Sequence, residues 1–402
     1  MKHASRFPGW SVVWVAFTVA LFAWGIGFYG PGVFLQTLHA TRGWSIATVS
    51  AAITAHFLIG AAIVVGLPEI YRAFGVANAT ILGALLSALG IVAWASATTP
   101  WHLFAAAVIS GGGWALTSGA AVNAIIAPWF DRDRPKALSH ALNGASVGGI
   151  VFVPLMVWSI ARIDFQPTAI VAGLAMAIVV TPLAHRYLRQ TPADLGLPPD
   201  GKTPAVDARP AGDAKRQSRA SVIKSRQFVT VSAAFALALF AQIGLLAHLL
   251  ARLTPELGLN GAAAAVSLTT LSAIAGRTLL GWLIGDHDRR VAACVNFLTQ
   301  SVGVALLCTQ GTPLTLLLGC SLFGLGVGNA ITLPALIVQK EFRPADVGMV
   351  VALVVAINQA VFALAPAVLG SLREFTESYV LAFATIAVLQ VVAAFIVLLG
   401  KR

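Results

Sequence analysis

The sequence predicts an all-α integral membrane protein with twelve transmembrane helices in two six-helix lobes. Composition is the first observation: hydrophobic residues make up 58% of the chain, charged residues 10%, and the mean hydropathy is +0.85, which excludes a soluble fold. The second is the length of the apolar runs, each sufficient to cross a hydrocarbon core of about 30 Å. They lie near residues 10–36, 45–69, 78–97, 102–128, 138–160, 168–186, 227–252, 262–284, 291–310, 314–338, 348–370 and 379–399.

The third observation is a polar stretch that divides the apolar runs six against six. Residues 191–226 are rich in Pro, Gly, Asp and Lys and cannot bury a core, so they are predicted to form a cytoplasmic linker. The predicted domains are therefore an N-terminal lobe over residues 1–190 and a C-terminal lobe over residues 227–402.

The two predicted lobes also share landmarks at a fixed spacing. Phe130 and Phe342 end the fourth and tenth predicted helices, and Pro154 and Pro366 lie in the fifth and eleventh; 212 residues separate the members of both pairs. A shared offset across two helices favours a duplicated half over coincidence, so we expect the lobes to be related by a pseudo-twofold axis. This layout is typical of a two-lobed transporter.

The basic residues predict the orientation in the membrane. The termini, the linker and the loops on their side carry 21 of the 26 Lys and Arg residues, whereas the opposite face carries Arg42, Arg162, Arg252 and Arg373. By the positive-inside rule, both termini are cytoplasmic. The net charge of +11 is thus spread over helix ends and does not form the compact basic patch that a nucleic-acid partner requires.

Arg277 is an ionisable residue inside an otherwise uncharged apolar stretch from Ala262 to Ile284. A guanidinium at the bilayer centre costs about 2.5–3.5 kcal/mol, so an arginine at this depth indicates a function. All fifteen acidic residues fall in predicted loops or at helix ends, which leaves a bound anion as the expected partner. A structural carboxylate partner, or a side chain that snorkels to the cytoplasmic surface, is the alternative.

Several further segments follow one another in a characteristic order. They are GVFLQTL to RGWSIATVS over residues 32–50, PWFDRDRPKALSHALNGASVGG over 128–149, ADLGLPPDG from Ala193, AHLLARLTPELGLNGAAAA from Ala247, and AGRTLLGWLIGD over 275–286. Together they resemble the major facilitator superfamily, and within it the bacterial monocarboxylate-transporter-like and oxalate/formate-antiporter-like branch. The resemblance covers nearly the whole chain and implies a multi-pass protein of a bacterial inner membrane whose two lobes rock to give alternating access.

The gating loop of that family, a glycine followed by acidic and basic residues, has two counterparts. After the eighth predicted helix, this chain has a recognisable form of that signature, made up of Gly281, Gly285, Asp286, Arg289 and Arg290. After the second helix a degraded form survives as Gly66, Glu69, Arg72 and Gly75. The resemblance implies a conformational lock that is weaker in the N-terminal lobe.

The resemblance also implies a substrate class. In this family the arginine of the eighth helix binds the substrate carboxylate, and Arg277 occupies that position. A planar guanidinium can meet a carboxylate with two parallel hydrogen bonds. Relatives that carry dicarboxylates use a second basic residue in the eleventh helix, where this chain has Asn358 and Gln359. One fixed charge favours a small monocarboxylate of the lactate or pyruvate type, with organic anion exchange of the oxalate/formate type as the alternative.

Proton coupling is expected to use a histidine. Animal-type proton-coupled relatives place an aspartate one turn before the arginine, and this chain has Ala273 there. His248 in the seventh predicted helix and His56 in the second are the candidates to titrate near physiological pH and carry a proton with the anion. A neutral histidine bonded to a helix backbone is the alternative for each, and facilitated diffusion or anion exchange would then remain.

Four polar residues join Arg277 as candidate substrate-binding residues, because polar groups are costly in contact with lipid and should face the interior: Tyr29, Asn123, Asn358 and Gln359. Trp114 is a further candidate, expected to close the cavity by packing over an apolar substrate tail. Hydrogen bonding or packing between helices is the alternative for each. No histidine cluster has metal-ligand spacing and no base is paired with a nucleophile, so an enzyme is excluded and no cofactor is expected. The partners expected are a small carboxylate, protons and the lipid bilayer, for a monomeric transporter.

Overall fold

The computed structural model describes residues 7–201, 218–285, 287–309, 311–343 and 345–401, and these residues are almost wholly helical without a β-strand. The α-helices, in chain order, are α1 Gly9–Phe22, α2 Gly30–Arg42, α3 Ile46–Val65, α4 Leu67–Ser96, α5 Pro100–Thr117, α6 Gly119–Ile126, α7 Arg134–Ile163, α8 Phe165–Tyr187, α9 Arg219–Ile223, α10 Arg226–Leu283, α11 Arg289–Cys308, α12 Pro313–Glu341, α13 Val347–Phe362, α14 Ala365–Thr376 and α15 Tyr379–Leu399. A π-helical segment, Ala23–Tyr29, joins α1 to α2, and short 3₁₀ turns occupy Ala193–Leu195 and Pro199–Gly201.

The predicted all-helical membrane fold is confirmed. Within the described ranges, 11 helical stretches are long and apolar enough to cross a membrane. One of them is α10, whose 58 residues would extend about 87 Å at 1.5 Å per residue, far beyond a hydrocarbon core of about 30 Å. Its backbone breaks at Gly258, where φ is 67° and ψ is 166°, so α10 supplies two spans. The seventh and eighth predicted helices are these two spans.

By its internal contacts the described chain divides into two compact units. The first contains the chain up to Gly30 and from Ala62 into the linker; the second contains Pro31–Ala61 and the chain from within the linker onward. In the second unit a buried apolar cluster joins α10, α11, α12, α13 and α15, with the rings of Phe235 and Phe297 edge to face at 5.1 Å. The second unit therefore includes the segment that forms α2 and most of α3.

The same residue pair begins one long helix in each unit. Thr99 precedes Pro100 at the start of α5, and its Oγ1 accepts a hydrogen bond from the His102 backbone at 3.4 Å. Thr312 precedes Pro313 at the start of α12, and its Oγ1 accepts from the Thr315 backbone at 3.4 Å. A threonine cap satisfies a free backbone N–H, and proline needs none at the first helical position. Both helices therefore begin for the same local reason.

The start of the predicted linker is ordered against the first unit. The Asp200 carboxylate accepts hydrogen bonds from the backbone N–H groups of Asp131, Arg132 and Asp133 at 2.9–3.3 Å. The Asp200 backbone N–H in turn donates to the Trp129 carbonyl oxygen at 2.9 Å. This segment thus holds the turn between α6 and α7, while residues 202–217 of the linker lie outside the described residues.

Glycines permit the closest helix contacts in both units. A Cβ atom at Gly276 in α10 would overlap the carbonyl oxygen of Leu325 in α12. In the first unit, a Cβ atom at Gly144 in α7 would overlap the carbonyl oxygen of Phe17 in α1. Small residues at such crossings let two backbones approach to van der Waals distance, which drives helix association in lipid.

We predict opposite effects for two alanine substitutions in α10. Gly276→Ala should lower the stability of the fold by about 1–3 kcal/mol, because its methyl group overlaps α12. Gly281→Ala meets nothing within 4 Å and should raise stability by about 0.5–1 kcal/mol, since alanine favours a helix over glycine. Thermal unfolding of both variants in detergent micelles measures the difference, and equal melting temperatures would refute the close contact.

Candidate functional site

Arg277 lies in the second span of α10, six residues before that helix ends at Leu283. At 1.5 Å per residue this is about 9 Å of helix, so the α-carbon lies in the half of the span nearer the predicted cytoplasmic end. The residue is half-buried. A charged side chain is costly on an apolar helix in a membrane. The Arg277 guanidinium therefore needs room beside a neighbouring helix.

Gly328 of α12 provides this space. A Cβ atom at Gly328 would lie 2.8 Å from both Nε and Nη2 of Arg277, and 3.0 Å from the carbonyl oxygen of Ala273. Any larger residue would displace the guanidinium. The sequence alone gives no sign that this glycine accommodates the arginine.

Asn329, next to Gly328, fixes the helices around the arginine. Its Nδ2 lies within hydrogen-bond distance of three acceptors, namely the carbonyl oxygens of Leu325 at 3.1 Å and Gly276 at 3.4 Å and the Oδ1 of Asn296 at 3.0 Å. These contacts join α10, α11 and α12. The amide therefore serves helix packing, and through Gly276 it holds the residue adjacent to Arg277.

The two amides of the eleventh predicted helix belong to the same unit as Arg277. Asn358 is 3% exposed, and its Oδ1 has no hydrogen-bond partner in the described part of the protein. Gln359 is half-buried. The helix ends at Phe362 and resumes at Ala365 as α14, so the predicted eleventh helix is discontinuous. Broken helices of this kind surround substrate sites in many transporters.

Tyr29 and Trp114 enter one aromatic cluster in the first unit. The Trp114 ring lies edge to face with Trp24 at 5.0 Å and stacks on Phe28 at 5.8 Å, and Phe28 contacts Tyr29 at 5.0 Å. Trp24, Phe28 and Tyr29 belong to the π-helical segment, a geometry that often marks functional sites. Sequence reasoning missed Trp24 and Phe28, although their spacing of four residues places both on one helix face.

Asn123 lies apart from this cluster. It is exposed near the end of α6, and its Oδ1 accepts a hydrogen bond from Nη2 of Arg134 at 3.1 Å. Ser118, with extended backbone angles, interrupts the predicted fourth helix between Trp114 and Asn123. In the structure, Asn123 therefore links α6 to the start of α7.

His248 is completely buried in the second unit with a partner at each ring nitrogen. Its Nε2 lies 3.1 Å from the carbonyl oxygen of Pro366 and 3.5 Å from Oγ of Ser50, and its Nδ1 lies 3.4 Å from the hydroxyl of Tyr379. Because the Pro366 carbonyl can only accept, Nε2 carries a proton, and in the neutral ring Nδ1 accepts from Tyr379. His56 is also buried, with its ring edge to face with Phe57 at 5.0 Å.

The contacts around His248 belong to a wider set between α3 and α14. The Ala47 backbone N–H donates to Oε2 of Glu374 at 2.9 Å, and the Ala367 backbone N–H donates to Oγ1 of Thr54 at 3.0 Å. These bonds lie on either side of Ser50, so His248 is at the centre of a polar contact between two helices of the second unit.

The two gating-loop counterparts differ in burial. Arg290 is 1% exposed, and its Nε and Nη2 meet the two carboxylate oxygens of Glu341 at 2.6 and 2.8 Å. Its guanidinium also donates to groups on α10 and α15, namely Thr230 Oγ1, Gln227 O and Val397 O. Glu69 and Arg72 form an isolated exposed pair at 2.9 Å, and such pairs contribute about 0–1 kcal/mol.

The remaining loop residues lie near the start of α11. Arg289 donates to the carbonyl oxygens of His287 at 3.0 Å and Gly285 at 3.1 Å. Gly281 is exposed, and Asp286 lies outside the described residues. Asp288 accepts from the Arg290 and Val291 backbone and pairs with Lys401 at 3.1 Å. Burial raises the pKa of Asp288, but its hydrogen bonds from Lys401 and the backbone outweigh this and hold the pKa below the ordinary 3.8.

Comparison with known proteins places this geometry in a family. The chain matches the sequence profile of the Major Facilitator Superfamily over residues 13–366. It is 27% identical over 237 residues to monocarboxylate transporter 13 of Bos taurus, which covers 58% of this chain and 51% of that protein. It is 26% identical over 347 residues to MFS-type transporter 1 of Ophiocordyceps sp. (strain BCC 1869), covering 83% of this chain and 72% of that protein. The chain thus spans about half the length of the first relative.

Solved structures of transporters share the fold. The crystal structure of the nucleoside transporter NupG matches with a TM-score of 0.73 and 12% identity, covering 99% of this chain and 100% of that chain. The inward open conformation of the xylose transporter XylE from E. coli matches with a TM-score of 0.75 and 14% identity, covering 97% of this chain and 96% of that chain. At these identities the likeness concerns the fold alone.

Proposed function

Because the chain belongs to the Major Facilitator Superfamily, and is therefore a multi-pass membrane transporter rather than an enzyme, we propose that it carries small monocarboxylates of the lactate or pyruvate type. The observation that carries the proposal is the placement of the Arg277 guanidinium against Gly328 on an apolar helix. A planar guanidinium can bind a carboxylate through two parallel hydrogen bonds. The similarity to a monocarboxylate transporter supports the same class.

The amides of α13 favour a substrate with one negative charge over a substrate with two. Asn358 is buried with a free Oδ1, and Gln359 is next to it, so this helix supplies hydrogen-bonding groups without a second cation. An amide can donate to a hydroxyl or keto oxygen of a hydroxy or keto acid and accept from a hydroxyl. A dicarboxylate would find no cation on α13 to pair with its second charge, which disfavours exchange of the oxalate type.

We propose that transport is alternating access coupled to protons, with His248 as the coupling group and both termini on the cytoplasmic side of a bacterial inner membrane. Its ring contacts α3 through Ser50, α14 through Pro366 and α15 through Tyr379. A proton added at Nδ1 would turn an acceptor into a donor and change the bond with Tyr379. Protonation of His248 would therefore change how α10 contacts α3, α14 and α15.

Replacement of Arg277 should remove transport without removing the fold. Gradient-driven uptake of labelled lactate into proteoliposomes should fall on the order of 100-fold in Arg277→Ala, since one or two charge-assisted hydrogen bonds contribute about 1.5–3 kcal/mol each. Arg277→Lys should retain part of the uptake, because it keeps the charge but loses the planar fork. Arg162→Ala, at an exposed position, is the matched control and should transport normally. Normal uptake by a folded Arg277→Ala protein would rule out the anchor.

His248→Gln should separate coupling from transport. The glutamine amide can still donate to the Pro366 carbonyl, but it cannot take up a proton. Accumulation of lactate driven by an inward proton gradient should be lost, whereas exchange of labelled for unlabelled lactate should persist. His56→Gln tests the other candidate and should leave both processes intact. Retained accumulation in His248→Gln would exclude this residue from coupling.

A further inference from the structure

A cleft in the first unit lies between α1 and α7 and is lined by none of the residues that the proposed transport uses. The helices meet closely where Gly144 and Gly148 face the backbone of Phe17 and Leu21. Towards the N-terminal ends of both helices, larger side chains replace the glycines. A cavity of about 230 Å³ lies there, lined by Trp10, Val13, Trp14, Phe17, His140 and Asn143.

The rim of this cleft is cationic. The Lys136 ammonium lies 5.6 Å from the centre of the Trp10 ring, and the exposed His140 ring lies 6.0 Å from it. None of the six lining residues is acidic. The Lys136 ammonium and the His140 imidazole can each donate a hydrogen bond to a phosphate group. The aromatic rings beside them can pack against an apolar chain attached to that phosphate.

The predicted orientation puts the cleft at the cytoplasmic surface of the membrane. Trp10 is the second residue of α1 and Lys136 the third of α7, so both lie at helix ends that the basic residues predict to be cytoplasmic. Trp14, one turn further along α1, is 67% exposed. Tryptophans concentrate at the headgroup level of membranes, and basic pockets between helices on the cytoplasmic side bind anionic headgroups.

We propose that this cleft binds an anionic phospholipid of the cytoplasmic leaflet. In this proposal the phosphate binds to His140, which lines the cleft, and to Lys136, which lies beside the Trp10 ring at its edge, while Trp14 and Phe17 lie along the start of an acyl chain. The cavity is smaller than the roughly 300–1,000 Å³ typical of pockets for whole small molecules, which favours a headgroup that leaves its chains in the bilayer. The site is independent of the monocarboxylate assignment, because it uses no residue of the Arg277 site.

Native mass spectrometry of the purified full-length protein tests the site. Wild type, Lys136→Gln and Lys340→Gln are titrated with phosphatidylglycerol and with phosphatidylcholine of identical chains. Lys340 is an exposed lysine near the end of α12 and is the matched control for loss of one charge. Removing Lys136 should weaken binding of the first phosphatidylglycerol about five-fold, the effect of about 1 kcal/mol per lysine near an anionic surface. Lys340→Gln should bind this lipid as wild type does.

Three results would overturn the proposal. Equal loss of phosphatidylglycerol in both lysine variants would mean that general surface charge attracts the lipid. Equal binding of phosphatidylcholine and phosphatidylglycerol to wild type would mean that the cleft selects only apolar chains. Displacement of the lipid by millimolar inorganic phosphate would identify a site for a soluble anion. Selective loss in Lys136→Gln alone, with phosphate inert, supports the lipid site.

Discussion

The contact between α10 and α12 is the constraint on which the candidate site depends. Gly276 lies against the Leu325 carbonyl oxygen with no space for a methyl group. Gly328 has no side chain, and the Arg277 guanidinium lies where its Cβ atom would crowd it. Asn329 fixes the same region with hydrogen bonds to α10 and α11. In lipid, where apolar side chains gain little from contact with one another, this close packing and the amide bonds hold the helices together.

A second constraint acts at the ends of the helices in the second unit. Arg290 joins four helices through a two-pronged pair with Glu341 and by donating to three further acceptors, whereas the Glu69–Arg72 pair in the first unit is exposed. Removing one partner of a buried pair costs about 3–5 kcal/mol, against at most about 1 kcal/mol for an exposed pair. The sequence predicted a weaker conformational lock in the N-terminal lobe, since the loop signature is recognisable after α10 and degraded after α3, and that lock stays a prediction.

The sequence predicted the helical membrane fold because the thickness of a bilayer sets the length of each apolar run. It also made Arg277 the leading candidate for the site, since a lone cation among apolar residues is visible without a structure, and that assignment stays a prediction. It could not predict the role of Gly328, the π-helical segment around Trp24 and Phe28, or the bond between Asn123 and Arg134. These features arise from contacts between residues on different helices, and backbone geometry depends on such contacts more than on local sequence.

A monocarboxylate transporter must bind a carboxylate as an anion, and the most direct test of this is ligand-induced thermal stabilisation of the purified protein. Lactate should raise the melting temperature in a concentration-dependent manner, because a ligand that binds only the folded state stabilises it. Lactamide, its neutral analogue of nearly equal shape, should have no effect, since it lacks the charge that Arg277 pairs with. Equal stabilisation by lactamide, or stabilisation by a nucleoside or xylose but not by lactate, would contradict a carboxylate site at Arg277.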